Sequence, residues 1–114
     1  DFTDLVNTDL RGSGADYEVV NRGANAVAVN TGIVLQNGDM GNLNVATALT
    51  DANTMTGWAI GDIVYFIGTN GTDSTLYRLS ETAGNTTLDT GTIVATLTGG
   101  DETNFAAANF ADFT

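Results

Sequence analysis

The segment that most constrains this chain is Asp62-Ile63-Val64-Tyr65-Phe66-Ile67. After the aspartate every residue is β-branched or aromatic and apolar, the pattern of a strand buried on both faces. Gly68-Thr69-Asn70-Gly71-Thr72-Asp73 follows, with Asn-Gly at its centre, the strongest short signal for a hairpin turn. Ser74-Thr75-Leu76-Tyr77-Arg78-Leu79 then reads as a second strand. Its Thr75, Tyr77 and Leu79 share one face, and Leu76 and Arg78 share the other. A polar loop from Gly84 to Gly91 leads into a third strand, Thr92-Ile93-Val94-Ala95-Thr96-Leu97, closed by Gly99-Gly100. These three runs predict an antiparallel meander.

The rest of the chain fits a mainly β fold. Fourteen glycines, no proline and abundant Asn, Asp and Thr imply short strands joined by tight turns. Tyr17-Glu18-Val19-Val20 and Ala26-Val27-Ala28-Val29 are expected to flank a turn at Asn21-Arg22-Gly23-Ala24-Asn25, and Gly32-Ile33-Val34-Leu35-Gln36 to form a further strand. From Asn42 to Asn53 there is no glycine, and Leu43, Val45, Ala46 and Leu49 recur at helical spacing. That segment is the one expected helix, with Asn42 or Asn44 as N-cap. A helical turn is expected near Thr103–Phe110, with Phe105 and Phe110 as core anchors. The fold class is therefore mainly β, an antiparallel meander or sandwich-like arrangement with one short α-helix. All 114 residues are read as a single domain, a common size for one core.

Charge excludes several functions. Fourteen acidic residues face three arginines, with no lysine or histidine, for a net charge of -11. Such a surface repels phosphate backbones and anionic lipid, so neither nucleic acid nor a membrane is an expected partner. No stretch approaches the roughly 20 apolar residues of a membrane helix. Acidity serves solubility, and it also offers oxygen ligands to hard cations. Cysteine is absent, which removes disulfides and thiol chemistry. The opening Asp1-Phe2-Thr3-Asp4-Leu5 has neither an initiator Met nor a secretory-signal pattern, so the sequence is expected to be a processed product or a piece of a longer chain.

Catalytic motifs are scarce. Without histidine or lysine, nothing activates Ser13, Ser74 or Ser80 as a nucleophile. Zinc sites of the usual kind lack their ligands. Gly12-Ser13-Gly14-Ala15 is not followed by the lysine of a phosphate loop. Leu88-Asp89-Thr90-Gly91-Thr92 matches the aspartic protease signature. That chemistry needs two carboxylates sharing a proton, hence a homodimer for a chain of this length. Too little chain follows the motif to build the rest of such a protease, and Asp-Thr-Gly is also an ordinary turn before a strand. For Ca²⁺ the best loops are Asn70-Gly71-Thr72-Asp73 and Asn85-Thr86-Thr87-Leu88-Asp89, with Asn70, Asp73, Asn85 and Asp89 as candidate ligands; no EF-hand pattern occurs. No cofactor is expected to be required. The aromatics Tyr65, Phe66, Tyr77, Trp58, Phe105 and Phe110 are assigned to the core, with a partly exposed packing or interface position as the alternative for Trp58.

Taken in order, several segments resemble the domains that follow glycine-rich calcium-binding repeats (RTX repeats) in type I-secreted bacterial surface proteins. The segments are Asp1 to Leu5 with Asp9-Leu10-Arg11-Gly12, Asp62 to Phe66, Asn70 to Asp73, Leu76-Tyr77, Ala95 to Gly99 and Ala107 to Phe110. The C-terminal regions of some surface-layer proteins and large adhesins are similar. The resemblance covers residues 1–10 and about 57–114; the glycine-rich nonapeptide itself is absent. It implies a location at the bacterial cell surface or outside the cell.

The expected function is that of a structural, non-enzymatic interaction domain of an adhesin, surface-layer or filament-forming protein. It would act by self-association, with other surface proteins or glycans as further partners. A small, acidic, β-rich, cysteine-free chain is also expected of a phage capsid decoration or tail protein. The dimeric aspartic protease, resting on Asp89, is the third reading.

Overall fold

The structure is a computed structural model, and it describes residues 16–23, 26–28 and 31–105. Five strands, β1 (Asp16–Asn21), β2 (Thr31–Asp39), β3 (Ile63–Thr69), β4 (Ser74–Ser80) and β5 (Thr90–Leu97), lie side by side in that order in one sheet. Helix α1 (Val45–Ala52) packs on one face, and a single 3-10 turn follows at Glu102–Asn104. The chain is thus mainly β with one short helix.

The meander forms as its turn signals require. β3 and β4 are antiparallel, with Phe66 opposite Tyr77, and β4 and β5 are antiparallel, with Leu79 opposite Gly91. At the β3–β4 turn Gly71 takes a φ of 84°, and the Asn70 side-chain oxygen accepts from the Thr72 and Asp73 amides at 3.0 and 2.8 Å. Between Leu76 and Tyr77 the β4–β5 register shifts, leaving Val94 as an extra residue in β5.

The first half is built differently from its expected hairpin. β1, β2 and β3 are mutually parallel, with Val19 opposite Leu35 and Leu35 opposite Ile67. Parallel neighbours need crossovers, and the helix supplies the one between β2 and β3. Between β1 and β2 the chain crosses the same face. There Ala26 bridges Thr56, and the Val27 amide donates to the Thr56 carbonyl at 2.8 Å while the Val27 side chain enters the core. Ala26–Ala28 is therefore not a hairpin partner of β1. Positions 24–25, 29–30 and 106–114, including Phe110, lie outside the described residues, as do 1–15.

Asn44 caps α1, its side-chain oxygen accepting from the Thr47 amide at 2.7 Å. The helix buries Ala48, Asp51 and Ala52, with Leu43, Val45 and Leu49 only partly covered, so its inner stripe is small-sided and lies close to the sheet. One apolar core fills this face: Val20, Val34, Val64, Phe66, Tyr77 and Leu79 from the strands, with Met55, Trp58 and Leu88 from loops. Trp58 is buried, not at an interface, and its ring N–H donates to the Ala52 carbonyl at 2.8 Å, closing the end of the helix. A second core on the other face joins Ile33, Leu35, Tyr65, Ile67 and Leu76, with Phe105 packed against it. Gly68 leaves room in β3 for the Met40 side chain, which a β-carbon there would displace.

A carboxylate is buried on the helix side of the sheet. Asp51 is 5% exposed and accepts from the Gln36 side-chain amide at 2.9 Å and from the Arg22 Nε at 2.9 Å. It therefore joins the end of β1, the middle of β2 and the helix. Removing this carboxylate by Asp51→Ala leaves the fully buried Gln36 amide unsatisfied. We expect a loss of about 1–3 kcal/mol in urea unfolding. Arg22→Ala is expected to cost less than Asp51→Ala, because the arginine side chain is 46% exposed and half-solvated already.

Candidate functional site

The candidate calcium ligands lie in two separate turns at opposite ends of β4, Asn70 and Asp73 before it and Asn85 and Asp89 after it. Each is occupied in local structure. Asn70 closes the β3–β4 turn as described, and Asp73 accepts from the Gly99 amide at 2.8 Å. Asn85 accepts from the Thr87 amide at 2.7 Å. Asp89 accepts from the Thr82 hydroxyl at 2.7 Å and the Thr90 hydroxyl at 2.8 Å, with the Thr82 amide at 3.2 Å. These bonds hold the Asp89 carboxyl below its ordinary pKa. Among the described residues no three acidic side chains group as a metal site.

The effect of these turn bonds is to fix both ends of β5. At its start, Asp89 ties Thr90 to the β4–β5 loop, and the Asp89 amide donates to the Ser80 carbonyl at 3.0 Å. At its end, Asp73 holds Gly99, and the buried Ser74 hydroxyl donates to the Gly100 carbonyl at 2.6 Å. The glycine of the Asp89-Thr90-Gly91 motif has a packing role of its own. A β-carbon at Gly91 would stand 2.7 Å from a Leu79 methyl and 2.8 Å from a Val45 methyl, so a larger residue there would have to displace both side chains.

Two residues that sequence reading did not single out complete this framework. Asn53, just past α1, grips Leu88 at both backbone groups: its amide donates to the Leu88 carbonyl at 2.8 Å, and its oxygen accepts the Leu88 N–H at 2.9 Å. Glu81 is 4% exposed and accepts from the Asn85 amide at 2.9 Å and the Gly61 amide at 2.8 Å. The backbone bonds from Asn85 and Gly61 hold its carboxyl below the ordinary 4.5. As single acids or amides among many, neither stands out by motif. Their only sequence signal is proximity to glycine and a turn.

β5 itself is the most exposed strand of the sheet. Its pattern is exposed at six of eight positions, whereas β2, β3 and β4 are buried on both faces over most of their length. Ile93, Val94 and Leu97 are 51%, 37% and 45% exposed, three of the five large hydrophobic residues exposed among the described residues. No charged side chain lies between Thr90 and Leu97. Beyond it no further strand pairs among the described residues, so one row of its backbone groups faces outward. Comparison with protein-family models, with curated proteins and with solved structures found no match.

The depressed Glu81 carboxyl makes a pH-dependent prediction. Its stabilising effect is complete above the ordinary value of 4.5 and is lost as pH falls through the lower folded value. The stability gap between wild type and Glu81→Gln, from urea midpoints, is therefore expected to be largest at neutral pH and to shrink below about pH 4.5. A gap that is constant from pH 7 to 3 contradicts this role.

Proposed function

We propose that this chain is a structural, non-catalytic interaction domain of an extracellular bacterial surface protein of adhesin, surface-layer or filament-forming type, and that it acts by self-association. The observation that carries the reading is β5: an apolar, uncharged edge, fixed at both ends, on a chain whose net charge is -11. An unguarded edge of this kind is a template for another strand. The resemblance of Asp62 to Phe66, Leu76-Tyr77 and Ala95 to Gly99 to domains of type I-secreted proteins supports the extracellular setting. Asp89-Thr90-Gly91 enters as a turn and a close-packing glycine, with its carboxylate engaged by Thr82 and Thr90. Calcium is given no required part.

The test is light scattering across a concentration series, run in Ca²⁺ and again in chelator. Larger species are expected as concentration rises in both solutions. Added salt is expected to strengthen the association, because copies that each carry -11 repel one another and screening weakens that repulsion. A protein that stays monomeric throughout contradicts the proposal. Assembly seen only with Ca²⁺ would replace it with a calcium-bridged contact.

A further inference from the structure

We infer that the first contact of this association is β5 with β5, two copies pairing antiparallel about a two-fold axis, so that this contact closes as a dimer. This rests on the self-association reading above and specifies its partner, a second copy of the same chain.

Charge is the first argument. Two copies that each carry -11 can approach closely where neither presents a charge, and Thr90–Leu97 is an uncharged strip that also lies on a sheet edge. The nearest flanking carboxylates, Asp89 and Asp101, lie outside the strip and are held in their own turns, Asp89 by Thr82 and Thr90 and Asp101 by the Thr103 amide at 2.9 Å. Ile93, Val94 and Leu97 would lose exposed apolar surface on pairing. The β-branched run Thr92-Ile93-Val94 suits a strand that gains a neighbour.

The choice of β5 against itself follows from the other end of the sheet. A head-to-tail contact, β5 on β1, would propagate into an open filament. β1 holds two acidic residues, Asp16 and Glu18, among its six, in a chain already strongly negative. The Glu18 carboxylate also accepts from the Ala28 amide at 3.1 Å and the Thr31 hydroxyl at 2.7 Å, which commits it to its own crossover. Strand direction adds to this. β1, β2 and β3 run one way, β4 reverses, and β5 returns to the direction of β1. A β5–β1 contact by simple repetition would be parallel, the less stable pairing, whereas a two-fold axis normal to the sheet gives the antiparallel one. The extra residue at Val94 is the single guard that β5 carries, since a bulge interrupts pairing. It divides the strand into two short runs, so the contact is expected to be weak and reversible, at the small end of protein interfaces.

The absence of cysteine makes a direct test clean. Single-cysteine variants Thr92→Cys, Val94→Cys and Thr96→Cys, with Val19→Cys on β1 as control, are oxidised at a concentration where association is seen. A disulfide needs Cα atoms within about 7 Å, so in an antiparallel two-fold seam only a position close to the axis meets its own copy. One β5 variant is expected to form covalent dimer in clear excess over the other two and over Val19→Cys. Val94→Asp is expected to lower association at least tenfold while leaving the thermal melt cooperative. Association that persists in Val94→Asp, with equal cross-linking at all four positions, overturns the β5 seam while leaving self-association standing. Species growing beyond the dimer with no β5 cross-link point instead to the open β5–β1 contact. Absence of any association removes both this inference and the reading on which it rests.

Discussion

The bonds from Arg22 and Gln36 to the Asp51 carboxylate organise this molecule. A carboxylate at 5% exposure is costly unless its oxygens are engaged, and here they are engaged by groups from two other elements. The cluster is not fully satisfied: the buried Gln36 carbonyl oxygen has no hydrogen-bond partner among the described residues. A group that costs this much fixes geometry more than it adds stability. Placing Asp51 places α1. Once α1 is placed, Val45 packs over Gly91 and Asn53 clamps Leu88, and these two contacts lead directly into the start of β5. The ladder with β4 places the edge strand, and the helix that Asp51 anchors braces its start.

The parts of this arrangement legible in the sequence were those with local signals. The run Ile63 to Ile67, the Asn70-Gly71 turn, the alternation of Thr75, Tyr77 and Leu79 and the strand through Thr92 to Leu97 all specify neighbours a few residues away, and the meander follows from them. The parallel half was not legible. Parallel strands are joined through a crossover with no tight turn to announce it, so Tyr17 to Val20 read as half of a hairpin when its partner is β2. The helix was legible in place and cap, but its buried stripe is Ala48, Asp51 and Ala52 where larger apolar residues had been expected. An aspartate facing inward has no periodic signature among fourteen acids. For Trp58 the sequence leaves core and interface both open, because its partner, the Ala52 carbonyl, exists only once the helix ends there.

The candidate site changed character for a similar reason. Asn70, Asp73, Asn85 and Asp89 were selected for their oxygens, and those oxygens accept hydrogen bonds from turn amides and threonine hydroxyls. Asx chemistry and calcium chemistry draw on the same residue types, so composition does not separate them. In three dimensions they separate by position: Asp89 and Asp73 stand at the two ends of β5, which makes them supports of the edge. That β5 is an edge could not be read from Thr92 to Leu97 alone, because edge or interior placement depends on what pairs beyond it. Its lighter composition, threonine and alanine where β3 has tyrosine and phenylalanine, was the one available hint.

The central claim is that a rigidly held β5 presents an open row of backbone groups to a second copy. Amide hydrogen exchange at low and high protein concentration tests it most directly, residue by residue. The account predicts that alternate amides within Thr90–Leu97 exchange rapidly when dilute and gain protection as concentration rises, while the amides of β2 to β4 are protected throughout. Protection of β5 that does not change with concentration, or concentration-dependent protection appearing elsewhere and not on β5, would contradict it.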